Sequence, residues 1–203
     1  MLTGVSFSFA GSDTTATAIR CAIYQLTRNP QFKAKLFEEI DNAKLSPMIS
    51  YAEAIKLPYL AAVIKESLRV HPSISLTFPR HVPKGGATIS GRYFPEGCRV
   101  GVNPYVLHYQ TSVFGDDAED FNPERWFRPD AELMERTLFQ FGAGSRTCIG
   151  KSIALMEIYK FVPQFFRAFD TAQVDPAAVW RERNTWFVIQ EMPDFRLSRR
   201  VVQ

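Results

Sequence analysis

Residues 141–150 most limit how this chain can fold: three glycines, Gly142, Gly144 and Gly150, surround one thiol, Cys148, just before an apolar-periodic segment. Glycine permits backbone torsions and close approaches that a Cβ blocks, so this loop can fold tightly against a flat cofactor. In residues 151–170, Ile153, Leu155, Met156, Ile158, Phe161, Val162, Phe165, Phe166 and Phe169 recur with helical spacing, which puts Cys148 at a helix N-terminus. There the helix dipole and the free N–H groups favour a sulfur anion, an arrangement suited to an iron-binding thiolate. Taken alone, a cysteine among glycines reads better as a buried thiol in a tight turn.

Composition narrows the remaining classes. The chain has 203 residues, 46% of them apolar, enough to bury a core in a globular fold. A net charge of +3 is too small and too scattered to indicate a nucleic-acid partner. Cys21, Cys98 and Cys148 form no Cys-x-x-Cys pair, and three histidines give no zinc-ligand spacing; reduced thiols facing the cytosol are expected. His71, His81 and His108 have no spaced companions and are given no chemistry. Residues 1–10 are mildly apolar but broken by Ser6 and Ser8, then by Ser12 and Asp13, too early for a membrane span, and they lack a basic signal-peptide start.

Helices are expected over residues 2–28, over 31–43 starting at Pro30, over 59–70 between Pro58 and Pro72, and over 151–170. Residues 75–82, 87–90 and 98–102 read as strands of one small antiparallel sheet. Residues 103–140 read as one short helix followed by an irregular meander, and residues 185–190 and 195–197 as a hairpin around Pro193. The predicted class is mainly α with small antiparallel β-sheets.

The spaced residues Phe141, Gly144, Arg146, Cys148 and Gly150 resemble the haem-ligand loop of the cytochrome P450 family. Two further motifs fall in that family's order. Glu66 and Arg69 lie three residues apart on a helix face, and Pro123-Glu124-Arg125-Trp126 follows downstream. Ala10-Gly11-Ser12-Asp13-Thr14-Thr15 matches the family's oxygen-binding helix, which bulges over the iron.

The resemblance implies haem b held by Cys148, with Phe141, Gly142, Gly144 and Gly150 against it, Arg146 and Arg80 at the propionates, and Ala10 and Gly11 on the opposite side. It implies that Thr14 hydrogen-bonds bound dioxygen and Asp13 relays protons, and that Glu66, Arg69 and Arg125 form a buried structural triad. Ser73, Ile74, Ser75, Leu76 and Thr77, with Phe78, would line the substrate pocket together with residues 188–192. The implied activity is insertion of one oxygen atom from O2 into a small apolar organic substrate, with electrons from an NADPH-cytochrome P450 reductase to which Lys151 contributes. Residues 147–151 and 161–165 are similar to fungal members of the pisatin-demethylase type, which act in secondary metabolism or on plant compounds.

The resemblance covers the C-terminal part of one P450 domain over residues 1–203; the upstream half and anchor are expected to be absent, with Met1 inside the oxygen helix. Full-length relatives are expected on the cytosolic face of the endoplasmic reticulum, and this chain alone in the cytoplasm. The alternative is an inactive fragment or incomplete gene product that keeps the motifs without a full haem pocket.

Overall fold

A computed structural model describes residues 4–185 and 187–200. The expected helix at residues 2–3 and the strand position at Trp186 lie outside the described residues.

Four long helices make the frame: α1 (Gly4–Arg28), α2 (Pro30–Asn42), α4 (Pro58–Val70) and α8 (Lys151–Ala168), with a single turn, α3 (Tyr51–Ala54), between α2 and α4. Proline at the first position of α2 and of α4 loses no helical hydrogen bond there. Neither helix has a capping side chain of its own at that end. Glu39 of α2 supplies one to α4, its carboxylate accepting the N–H groups of Tyr59 and Leu60 at 2.7 and 2.8 Å. An anion on those free donors also suits the helix dipole.

The main core lies between these helices: Ala18, Cys21 and Leu26 from α1, Leu36 and Ile40 from α2, Leu60, Val63, Ile64 and Leu68 from α4, and Ile158, Val162 and Phe166 from α8. Each buried Leu, Ile or Phe contributes about 1.5–3 kcal/mol relative to exposure. α4 is buried on its other side as well, where Ala62 joins Phe114, Ala118, Trp126 and Met134 in a second apolar cluster.

The strands form four two-stranded antiparallel ribbons among the described residues. β1 (Phe78–His81) pairs with β4 (Arg99–Val102), and β2 (Ala87–Ile89) with β3 (Arg92–Phe94). The β1–β4 crossing is so close that a Cβ at Gly101 would sit 2.5 Å from the Phe78 carbonyl oxygen. The expected single sheet over 75–102 is thus two ribbons, and residues 75–77 lie outside its strand.

Downstream, β5 (Phe169–Gln173) pairs with β8 (Phe195–Arg199), and β6 (Arg181–Asn184) with β7 (Val188–Glu191). The expected hairpin is therefore corrected: both of its strands exist, but each pairs with an earlier partner. The last long helix ends at Ala168, and Phe169 begins a strand. The stretch 103–140 holds more order than one short helix, with α5 (Pro104–His108), α6 (Thr111–Phe114), a 3-10 turn (Pro123–Phe127) and α7 (Ala131–Thr137). No helix among the described residues is long and apolar enough to cross a membrane.

Candidate functional site

Cys148 is held by its backbone and leaves its side chain exposed. Its N–H donates to the Phe141 carbonyl at 2.8 Å, and its own carbonyl accepts the Lys151 N–H at 3.3 Å as α8 begins. Gly142 N–H closes a turn onto Phe139 O at 2.8 Å, and Thr147 caps the 3-10 turn Gly144–Arg146 by donating its hydroxyl to Gly144 O at 2.9 Å. Gly142 and Gly144 have φ of +67° and +68°, the left-handed region where an L side chain is strained. Gly150 differs from expectation: φ is −85°, which any residue adopts, and a Cβ there would meet Cys148 Sγ at an ordinary 3.9 Å.

Phe141 is half-buried against the main core, with Lys151 Nζ 5.7 Å above its ring centroid. A hollow of about 220 Å³ beside it is lined by Gln140, Leu68, Lys65, Leu155 and Tyr159. Cys21 shows the opposite kind of thiol. It is fully buried, donates to Ser67 O at 3.4 Å, and burial together with the Glu182 and Glu66 carboxylates pushes it well above its ordinary range.

On α1, Ala10, Gly11 and Asp13 are exposed and Thr14 is half-buried. The helix runs without interruption through this motif, so the expected bulge is not seen as a break. Instead the Thr14 hydroxyl donates to Ala10 O at 2.8 Å, a side-chain bond that competes for a helical carbonyl and commonly bends helices.

Residues 73–78 connect this motif to the cysteine loop. Ser73 Oγ donates to Thr14 O at 2.7 Å, while at the other end the Phe78 ring packs on Phe139 at 5.6 Å and lies under Gly142. Val188 N–H donates to Ser73 O at 3.1 Å, and Gln190 Nε2 to Thr17 O at 3.2 Å. The two segments expected to line a pocket therefore meet each other on α1. Within the first of them Ser75 is buried, Ile74 half-buried, and Leu76 and Thr77 exposed. Arg146 and Arg80 are both exposed, and Arg80 Nη1 donates to Pro79 O at 2.8 Å.

Glu66, Arg69 and Arg125 come together with no side-chain exposure. Glu66 accepts from Arg69 Nε and Nη2 at 3.0 and 2.8 Å, from Arg125 Nε at 2.9 Å, from the Trp126 indole at 3.0 Å and from the Asn122 N–H at 2.9 Å. The outward faces of the two guanidinium groups gather carbonyls of the meander: His108, Ala118 and Asp120 for Arg69, and Phe114, Asp117 and Asp120 for Arg125. One carboxylate against two cations leaves a positive charge, which the Asp117 carboxylate offsets at 3.1 Å from Arg125 Nη1. Burial raises the Asp117 acid, but hydrogen bonds from Asn122 and Arg128 and the charges of Arg125 and Arg128 outweigh it and hold the carboxyl well below its ordinary range. Sequence reading missed Asp117, Asn122 and the Trp126 indole as members of this cluster, although Trp126 directly follows Arg125 in the motif that pointed there.

The residues of the loop fit a haem. No three His, Cys, Asp or Glu side chains gather to hold a metal among the described residues. Cys148 offers one exposed sulfur donor, as a haem iron takes from protein, and a Cβ built at Gly144 would meet nothing within 4 Å, which leaves the loop open to a flat group.

Comparison with known proteins gives the family. The cytochrome P450 family model matches residues 2–196. Pisatin demethylase of Fusarium vanettenii is 44% identical over 182 residues, covering 90% of this chain and 36% of that protein. Cytochrome P450 monooxygenase ACRTS1 of Alternaria alternata is 43% identical over 197 residues, 94% of this chain and 52% of that protein. Cytochrome P450 monooxygenase cicH of Emericella nidulans is 40% identical over 197 residues, covering 94% and 40%. The chain spans roughly a third to a half of the length of these curated relatives. With a family match over nearly its whole length, the chain belongs to the cytochrome P450 family.

Proposed function

We propose that this chain is the thiolate-bearing part of a haem monooxygenase that inserts one oxygen atom into an apolar organic molecule. The observation that carries this reading is the Cys148 thiol, exposed and pinned on both sides of its backbone immediately before α8. Haem b, when bound, supplies an iron at which dioxygen is reduced. Overall one oxygen atom enters a C–H bond, and the other leaves as water with two electrons from NADPH and two protons.

Cys148 would provide the sulfur ligand, and its loop holds the backbone from which that sulfur projects. Phe141 packs beneath the loop, and Lys151 places a positive charge over its outer face, where a reductase supplying NADPH-derived electrons would dock. Arg146 and Arg80, both exposed, would meet carboxylates at the edge of the group. Asp13, exposed on α1, would relay protons, and Thr14, next to it in sequence, would supply the hydroxyl. Because that hydroxyl already donates to Ala10 O, it can accept a further hydrogen bond through its lone pairs but donates to another partner only after rotating. Residues 73–77 and 188–192 provide the substrate wall. By the resemblance, full-length relatives would work on the cytosolic face of the endoplasmic reticulum.

Two relatives carry the name pisatin demethylase, so pisatin is the first substrate to try. With haem, reductase and NADPH, Thr14→Ala is expected to keep haem but yield several-fold less product per NADPH consumed, with the difference released as peroxide. An unchanged ratio contradicts the proton role of Thr14. A second reading, a chain that keeps the motifs without a full haem pocket, predicts no product from the chain supplied with haem, reductase and NADPH.

A further inference from the structure

We propose that His108 is a positioning residue for the cysteine loop, its neutral imidazole linking the buried Glu66–Arg69–Arg125 cluster to Phe139, on which the turn before Cys148 is built. The imidazole is completely buried at the end of α5. Its Nδ1 lies 3.0 Å from Arg69 O, and its Nε2 lies 2.8 Å from the Phe139 backbone nitrogen. A carbonyl only accepts and a backbone N–H only donates, so Nδ1 carries the proton and Nε2 is bare. The geometry therefore fixes both charge and tautomer.

Each end of this link is tied to something that matters. Arg69 Nη1 returns a bond to His108 O at 2.9 Å, so the helix that carries Glu66 and the end of α5 hold each other reciprocally. Phe139 O accepts the Gly142 N–H at 2.8 Å, and one residue before Gly142 the Phe141 carbonyl accepts the Cys148 N–H at 2.8 Å. The Phe78 ring, 5.6 Å from that of Phe139, leans on the same turn. A shift of Phe139 thus displaces the turn and the carbonyl that anchors Cys148. The consequence for ligation rests on Cys148 being the haem ligand; the link itself does not.

The test separates the two ring nitrogens in the 203-residue chain. Nitrogen NMR of the wild-type ring at neutral pH is expected to show the Nδ1–H tautomer; an Nε2–H ring overturns the proposal. A glutamine side chain can put its amide oxygen near the Nε2 position, whereas asparagine reaches only the Nδ1 position. His108→Gln is expected to keep both slow exchange of the Phe139 amide and the reduced carbon-monoxide band of thiolate-ligated haem. His108→Asn and His108→Phe are expected to speed that exchange about tenfold or more and to shift part of the band away from the thiolate position. Equal behaviour of the Gln and Asn variants overturns it. If wild type shows no thiolate band, the functional reading fails, while tautomer and amide exchange still decide the role of His108. If the variants do not fold, the wild-type tautomer decides it.

Discussion

The cluster around Glu66 and the loop around Cys148 sit in the same molecule under opposite rules. The first closes on itself: one carboxylate accepts five hydrogen bonds from Arg69, Arg125, Trp126 and Asn122, and the two guanidinium groups hold carbonyls across residues 108–120. The second turns outward, with its backbone bonded and its side chains from Ala143 to Ile149 exposed. The difference teaches where this fold keeps rigidity and where it keeps reactivity. Charges that are fully surrounded serve to hold chain, whereas the exposed Cys148 thiol is held only through its backbone. The bond from the Phe139 N–H to His108 Nε2 joins the two regions.

The sharpest way to break the contrast is Glu66→Gln. It leaves two buried guanidinium groups short of their shared counter-charge, and urea unfolding is expected to show a loss of about 3–5 kcal/mol or a chain that does not fold. A loss below about 1 kcal/mol would mean the cluster is solvated in solution.

A smaller effect is expected from pH through His108. Burial, with the Arg69 charge, lowers its pKa from the ordinary value to about 4, against a weaker opposing bond to the Arg69 carbonyl. The unfolded chain then binds the proton more readily than the folded one below about pH 6.5. Stability is fully present above that pH and is lost as pH falls toward about 4, by on the order of 2–3 kcal/mol. Urea midpoints across this window should fall in wild type and fall less in His108→Gln; identical profiles would contradict a buried neutral ring.

The mildest is Gly142→Ala. Its Cβ would meet only ordinary contacts near 3.7 Å, so the cost is the left-handed backbone alone, about 1–2 kcal/mol. The loss should appear in unfolding midpoints, and its absence would show that the turn relaxes readily.

How much of this was legible in the sequence follows from the range of each interaction. α1, α2, α4 and α8 announced themselves through apolar spacing and through Pro30 and Pro58, because helices are local. α3 was missed although Ser50-x-x-Glu53 is a capping box that both residues complete in the structure. β5 was missed because Phe169 continues the helical pattern of α8, and β6 because Arg181, Glu182 and Arg183 show no alternation. Their pairing, and so the failure of the expected hairpin, depends on partners far along the chain. The cysteine loop could be read from spacing, since its motif is contiguous. His108 could not, because its two partners lie 39 and 31 residues away and nothing in the neighbouring sequence marks it.

The central claim is that the backbone of residues 139–150 presents Cys148 as the sulfur ligand of a haem. The direct test is a reduced carbon-monoxide difference spectrum of the chain expressed with haem, beside Cys148→Ser, with urea unfolding of both. Because Cys148 is exposed and packs against little, the variant is expected to match wild-type stability within about 0.5 kcal/mol while losing the thiolate Soret band entirely. A thiolate band that survives in Cys148→Ser, or a wild-type chain that takes up haem without one, would contradict the claim.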